Sequence, residues 1–236
     1  MSFSINASAD EFLKSRHFYV LFSGGKDSLA ALLWCYEHFS RSKFDVLYVE
    51  VTGNTHPLCS QYVKQVCREL NVKLIIDARR NLDFFECLRK WGVPVINLAR
   101  WCLYHFKIKV FERYSDRIHV TGLTKRSRRK INISQVHLMR LSRSITVNPI
   151  LEWSREQILD FIRDHGFNIN PCYKIYGHSG NCMFCPYHSY QAIVLTMQDD
   201  AWRRKILDAL RHCRGRIGRE TYMKWLKLSK QSLLTL

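Results

Sequence analysis

Long apolar runs are missing from this sequence. No stretch of its 236 residues approaches the ~18 that a membrane-spanning helix needs. The opening residues, MSFSINASADEFLKSRHF, hold no continuous apolar core of the kind a secretory leader carries, so a cytoplasmic protein is expected. There is no internal repeat and no low-complexity tract, which sets aside repeat arrays and disordered linkers. Acidic side chains are also scarce, with 20 Asp and Glu against 37 Lys and Arg, a formal net charge of +17. That imbalance favours polyanionic partners, nucleic acid first (tRNA or DNA through a basic surface). Small phosphorylated substrates are the blander reading of the same charge.

Hydrophobic residues make up 47%, enough for a real core, and the length suggests one domain with room for a small appendage. Short apolar runs alternate with helical patterns, as in an α/β protein with a parallel sheet. Strands are expected at HFYVLF (17–22), FDVLYVEV (44–51), KLIID (73–77) and RIHVTG (117–122). Helices are expected over 27–39, 57–70, 81–91 and 103–114, and from Ser154, a good N-cap, to Gly166. Character changes softly near 150 and again near 190. The expected division is a nucleotide-binding domain over 1–190 and a basic helical extension over 191–236.

The chemistry starts at SGGKDS (23–28), between the first strand and the first helix. A helix N-terminus offers unpaired N–H groups and a partial positive charge, and so attracts phosphate. Gly24 and Gly25 let the backbone come close to oxygen atoms, Ser23 and Ser28 offer hydroxyls, and Lys26 adds a charge. The loop is not a Walker A loop, because Asp27 rather than Ser or Thr follows Lys26.

SGGKDS after a strand resembles the pyrophosphatase loop of the adenine-nucleotide α-hydrolases, or N-type ATP pyrophosphatases. Five later segments narrow the likeness to the branch similar to phosphoadenosine phosphosulfate (PAPS) reductase: VEVTGNTHP (49–57), WCLYHFK (101–107), VTGLTKRSRR (120–129), NPILEWS (148–154) and NPCYKIYGHSGNCMFCP (170–186). The ordered set spans about 20–190 and is specific, although each later segment alone is weak. The resemblance implies a doubly wound parallel sheet, Rossmann-like, with the nucleotide across the carboxyl ends of the strands and a helical C-terminal extension. It implies phosphate contacts from Ser23, Gly24, Gly25, Lys26, Asp27 and Ser28, with Thr52, Gly53 and Gly122 near the nucleotide. Lys125, Arg126, Arg128 and Arg129 would supply positive charge for phosphate or sulfate. The ligand would be ATP, with Mg2+, or adenylyl sulfate or PAPS.

Nine cysteines without a leader point to a reducing compartment, where clustered thiols bind metal or do redox chemistry. Cys182 and Cys185 have the spacing that grips one metal or a cluster edge, and the family likeness brings Cys102 and Cys172 near them. A 4Fe–4S cluster, a zinc ion and a metal-free thiol group all remain open, with His178 and His188 as substitute ligands. Cys35, Cys67 and Cys87 read as core residues. Cys59 opens a helix, where a thiol pKa is lowered. The reductases hold their catalytic cysteine in a Glu-Cys-Gly-x-His element that this sequence does not contain.

These features lead to one expectation and two alternatives. The expectation is an ATP-dependent adenylating and sulfur-transfer enzyme acting on nucleic acid, fed by a sulfur donor, with Lys26, Asp27 and Cys102 as catalytic candidates. The alternatives are a reductase of adenylyl sulfate or PAPS with a non-standard cysteine, and a non-catalytic nucleotide- or nucleic-acid-binding module. In the C-terminal segment the aromatics are expected in the core and the charges on the surface.

Overall fold

A computed structural model of the chain describes residues 4–5, 8–95, 100–125, 134–139, 142–213 and 219–232. Its strands are β1 (Ser4–Ile5), β2 (Phe18–Leu21), β3 (Phe44–Glu50), β4 (Leu74–Ala78), β5 (Ile118–Val120), β6 (Val136–Met139) and β7 (Ser144–Val147). The helices are α1 (Ala9–Leu13), α2 (Lys26–His38), α3 (Pro57–Glu69) and α4 (Phe84–Trp91). A composite run follows: α5 (Trp101–Leu103), a π-helical turn at Tyr104–Ile108, α6 (Lys109–Phe111) and a 3-10 turn at Glu112–Tyr114. Then come α7 (Arg155–Asp164), α8 (Cys172–Tyr176), α9 (Tyr190–Gln198), α10 (Asp200–Arg211) and α11 (Arg219–Ser232).

The seven strands form one sheet in the order β1-β6-β7-β5-β2-β3-β4. Strands β7, β5, β2, β3 and β4 run parallel. The expected parallel sheet is therefore present, and β6 and β1 extend it antiparallel at one edge. Strands β1 and β6, and with them β7, were not expected from the sequence: β1 has two residues, and β6 and β7 only four each.

Helices cover both faces. Phe18 and Val20 of β2 point into a core completed by Leu29, Leu32 and Leu33 of α2, Val63 and Val66 of α3, and Ile158 and Ile162 of α7. Tyr19 points the other way, onto Leu47, Val49 and Val110. This alternation along β2 is what a strand buried on both faces requires. Each such fully buried aliphatic or Phe side chain contributes roughly 1.5–3 kcal/mol relative to exposure. A second core joins Phe84, Phe85 and Leu88 of α4 to Ile193, Ile206, Leu210 and Trp225 of the last three helices. The C-terminal aromatics are thus core residues, with Trp225 fully buried.

The chain leaves β2 for β3 and β4 on one side and returns to β5 on the other. The order reverses between β2 and β5, so a crevice opens beyond their carboxyl ends, the place where ligands bind in such sheets. The Ser23–Ser28 loop leaves β2 at this point, and Thr121–Gly122 leaves β5.

Candidate nucleotide site

Side chains cap most of the longer helices. His56 caps α3, Asp83 caps α4, Ser154 and Gln157 form a capping box on α7, Ser189 caps α9 and Asp199 caps α10. Helix α2 differs. Its N-cap is Gly25, which has no side chain to offer, so the first-turn amides face the crevice without a side-chain cap. Gly24 before it has φ +75°, which turns the chain from β2 into the helix. A Cβ there would lie 2.8 Å from Cys59 Sγ.

Hydroxyls organise the loop from within. Ser28 Oγ donates to Gly25 O at 2.9 Å and accepts from Ser23 N at 3.2 Å, with Ser23 Oγ 3.1 Å away. Lys26 N donates to Tyr173 OH at 3.3 Å. The Lys26 ammonium lies 2.7 Å from Asp27 Oδ1, so its charge is held by its neighbour. A phosphate would have to compete with that pair, which is partly exposed and therefore weak.

Gly122 sits against the first turn of α2. A Cβ there would lie 2.5 Å from Ser28 N and closer still to the carbonyl of Asp27. The close approach expected of this glycine is thus to the backbone of the phosphate loop. Gly53 has a similar role: a Cβ would run into the Asp83 carboxylate that caps α4, while Lys205 Nζ donates to Gly53 O at 2.6 Å. Thr52 Oγ1 donates to Arg79 O at 3.3 Å. Thr52 and Gly53 line a cleft of about 450 Å3 with Glu50, Ser60, Lys64 and Arg80, and none of Ser23–Ser28 lines it. Lys125 Nζ is 2.6 Å from Glu152 Oε1, both well exposed. Arg126, Arg128 and Arg129 lie outside the described residues.

Two buried asparagines anchor the cysteine-containing segment, Asn170 to the Ser23–Ser28 loop and Asn54 to the turn after β3. Asn170, 1% exposed, donates through Nδ2 to Gly24 O at 3.1 Å and Ser179 O at 2.9 Å, and accepts from Cys172 N at 2.9 Å. Asn54, fully buried, donates to Phe184 O at 3.0 Å and accepts from Phe184 N at 2.8 Å. His56 N donates to Gly180 O at 2.8 Å, which closes the same seam. The His56 ring accepts from Leu58 N through Nδ1, and its Nε2 lies 3.1 Å from Tyr176 OH, which donates to Asp199 at 2.8 Å. None of these tethers follows from residue spacing. The sequence signal was only that Asn and His stand inside otherwise apolar or Gly-rich segments.

Cys102, Cys182 and Cys185 share one electrostatic neighbourhood. Burial pushes the Cys102 thiol up to about 11, and nearby Cys182 adds to the shift, while Lys107 and Arg100 pull it back. Burial also raises Cys185, reinforced by Cys182. Cys172 is fully buried beside Gly180 and is pushed up to about 12 by burial and then by Cys59, which in turn feels Cys182. Among the described residues no group of three or more His, Cys, Asp or Glu side chains is gathered closely enough to hold a metal ion. Neither a cluster nor zinc is shown for Cys102, Cys172, Cys182 and Cys185, and no chemistry below is routed through one. Nor is Cys59 activated by its helix: burial outweighs the helix end and pushes its thiol up to about 11.

His178 and His188 stack with ring centroids 4.0 Å apart. Burial pushes His178 down to about 4, helped by His56, and His188 to about 3, helped by His178 and Lys224. His188 Nδ1 is buried without a hydrogen-bond partner.

Known proteins resemble this chain in sequence or in fold. The chain is 26% identical over 218 residues to an uncharacterized nin region protein of Escherichia phage lambda, covering 80% of this chain and 72% of that one. PAPS reductase from Candida auris superposes with a TM-score of 0.54 at 17% identity, over 72% of this chain and 85% of that one. The NH3-dependent NAD synthetase of Campylobacter jejuni gives 0.53 at 12% identity, over 96% of this chain and 90% of that one. At such identities these two structures share a fold, that of the adenine-nucleotide α-hydrolases. Residues 17–186, from β2 through the Cys182–Cys185 loop, match the family described as phosphoadenosine phosphosulfate reductase domain, and the chain belongs to that family.

Proposed function

We propose that the protein binds ATP with its phosphates on the opening turn of α2 and adenylates an oxygen of a nucleic acid, which then receives sulfur at the thiols of Cys102, Cys182 and Cys185. The observation that carries this reading is the glycine-capped N-terminus of α2 at the point where the strand order reverses. Membership of the family supports an enzyme of the ATP pyrophosphatase superfamily.

The chemistry divides into two steps. The acceptor oxygen attacks the α-phosphorus, the bond to the bridging oxygen of the β-phosphate breaks, and pyrophosphate leaves. Amides of the α2 first turn and the Ser23 and Ser28 hydroxyls would hold the departing oxygens. Hydrogen bonds to such charged groups contribute about 1.5–3 kcal/mol each. Lys26 would exchange Asp27 for the pyrophosphate. Asp27 is the carboxylate at the loop that fits Mg2+, whose chemistry there is charge neutralisation. In the second step a persulfide sulfur on one thiol, loaded by an external donor, attacks the adenylated carbon and AMP leaves. A second thiol attacks the sulfur still bonded to the enzyme. The product keeps one sulfur, a disulfide forms, and an external dithiol reduces it.

A second reading rests on the same thiols and the family: reduction of adenylyl sulfate or PAPS. There a thiolate attacks the sulfonyl sulfur, the nucleotide leaves, and a second thiol releases sulfite with formation of a disulfide. One comparison separates the two. Pyrophosphate release from ATP is measured with and without RNA or DNA, and sulfite release from PAPS in parallel with a dithiol present. Stimulation of pyrophosphate release by a strand supports adenylation. Sulfite formation without that stimulation replaces it with the reductase reading.

A further inference from the structure

Aromatic and basic side chains pair on and beside the Trp101–Tyr114 helical run. Tyr187, 53% exposed, lies under the Arg100 guanidinium at 5.0 Å. One turn on, Tyr104 N donates to Arg100 O, and the Tyr104 ring, 42% exposed, has Lys109 Nζ over it at 5.1 Å. His105 meets Tyr104 edge-on at 5.1 Å and lies tilted against Trp91 at 4.7 Å. Arg79 and Lys109 both act electrostatically on His105. Glu112 reaches this strip, 2.8 Å from Lys109. Arg100 at one end and Lys107 on the inner side both act on the Cys102 thiol.

Exposed tyrosines, each with a cation on one face and solvent beside it, are an unusual monomer surface. They suit a ligand that carries flat rings and regular negative charge together. The geometry points to a single-stranded nucleic acid lying along Tyr187, Arg100, Tyr104 and Lys109, with bases stacked on the two tyrosines and phosphates on the cations. Bases in a duplex are already stacked on one another, whereas those in a single strand are available to side-chain rings. The strip ends beside Cys102, so a strand held on it runs toward the thiols. The inference rests on the proposal that nucleic acid is the acceptor, and it adds the surface and the strand form.

Fluorescence anisotropy with labelled DNA and RNA of about 15 nucleotides tests it, as single strands and as annealed duplexes. Single strands are expected to bind about tenfold tighter than duplexes. Tyr187→Ala and Tyr104→Ala are each expected to weaken strand binding about tenfold, with the phenylalanine variants retaining it. Arg100→Ala should weaken binding and flatten its salt dependence. ATP binding by calorimetry should be unchanged in the tyrosine variants, which shows that they fold. Equal affinity for duplex, or alanine variants that bind strands like the parent, overturns the inference. So does equal competition by polyglutamate, which has the charge without the rings. Pyrophosphate release stimulated by a strand that ignores both tyrosines would leave the nucleotide chemistry standing and remove the strip. Strand binding that needs the tyrosines, with no pyrophosphate release, would do the reverse.

Discussion

Gly122→Ala isolates the contact on which the phosphate loop rests. The added methyl would lie 2.5 Å from Ser28 N and nearer still to the Asp27 carbonyl, where ordinary contact begins at 3.4 Å. Both partners are backbone, so no rotamer change relieves the clash, and the first turn of α2 has to retreat by about 1 Å. Overpacking of this kind costs typically 1–3 kcal/mol, and collision with several backbone atoms at once argues for about 3. In a domain of this size that lowers the melting temperature by roughly 6–12 °C. A displacement of 1 Å at a reacting centre costs on the order of a hundredfold in rate. The assays are thermal unfolding with and without ATP, and calorimetric ATP binding. The control is Gly166→Ala, at the end of α7, where φ is +75° but nothing lies within 4 Å. It should cost about 1 kcal/mol through backbone strain alone and leave ATP binding intact. If Gly122→Ala binds ATP like the parent and melts within about 2 °C of it, the packing of β5 against the loop does not position the site.

Two further outcomes follow from buried polar groups. Asn170→Ala strands Gly24 O, Ser179 O and Cys172 N without their partner, and at about 1 kcal/mol or more per group should cost roughly 3 kcal/mol and weaken ATP binding; urea unfolding and calorimetry measure both, and a change under about 1 kcal/mol would refute the bridge. His178 and His188 have folded values lowered to about 4 and about 3 from 6.5, so the unfolded chain binds protons first as the pH falls. Their stabilisation is complete above pH 6.5 and is lost downward to about 4 and about 3, at up to about 1.4 kcal/mol per pH unit for each ring. Urea midpoints at pH 7 and 5 should fall accordingly, less steeply in His188→Gln, and a flat profile would refute the burial argument.

The nucleotide half of the molecule was legible because its signals are local. HFYVLF is a continuous apolar run, α2 repeats its apolar residues at helical spacing, and glycines stand at the turn between them. The N-cap of α7 was readable from Ser154, but not the capping box that Gln157 completes. Cys35, Cys67 and Cys87 are buried, as their apolar neighbours suggested. What spacing could not give was the meeting of distant segments. Asn54 and Phe184 are 130 residues apart, and Asn170 and Gly24 146, yet these bonds decide which cysteines face one another. The resemblance placed Cys102 and Cys172 near the Cys182–Cys185 pair, and in the fold Cys172 lies beside Gly180 and feels Cys59, which in turn feels Cys182.

The π-helical turn at Tyr104–Ile108 gives a physical meaning to the interval between Cys102 and Lys107. Five residues along an α-helix rotate a side chain about 140° away from its starting direction. A turn closed between residues five apart brings the second nearly over the first, which fits the pull of Lys107 on the Cys102 thiol. The extra residue also sets the phase of everything after it, including Val110, which is locked among Tyr19, Leu47 and Val49. Removing one residue from the turn would therefore set the sheet and the thiols against each other. If Val110 kept its seat, Lys107 would swing off the cysteines, and if Lys107 stayed, the helix would lose its grip on β2 and β3.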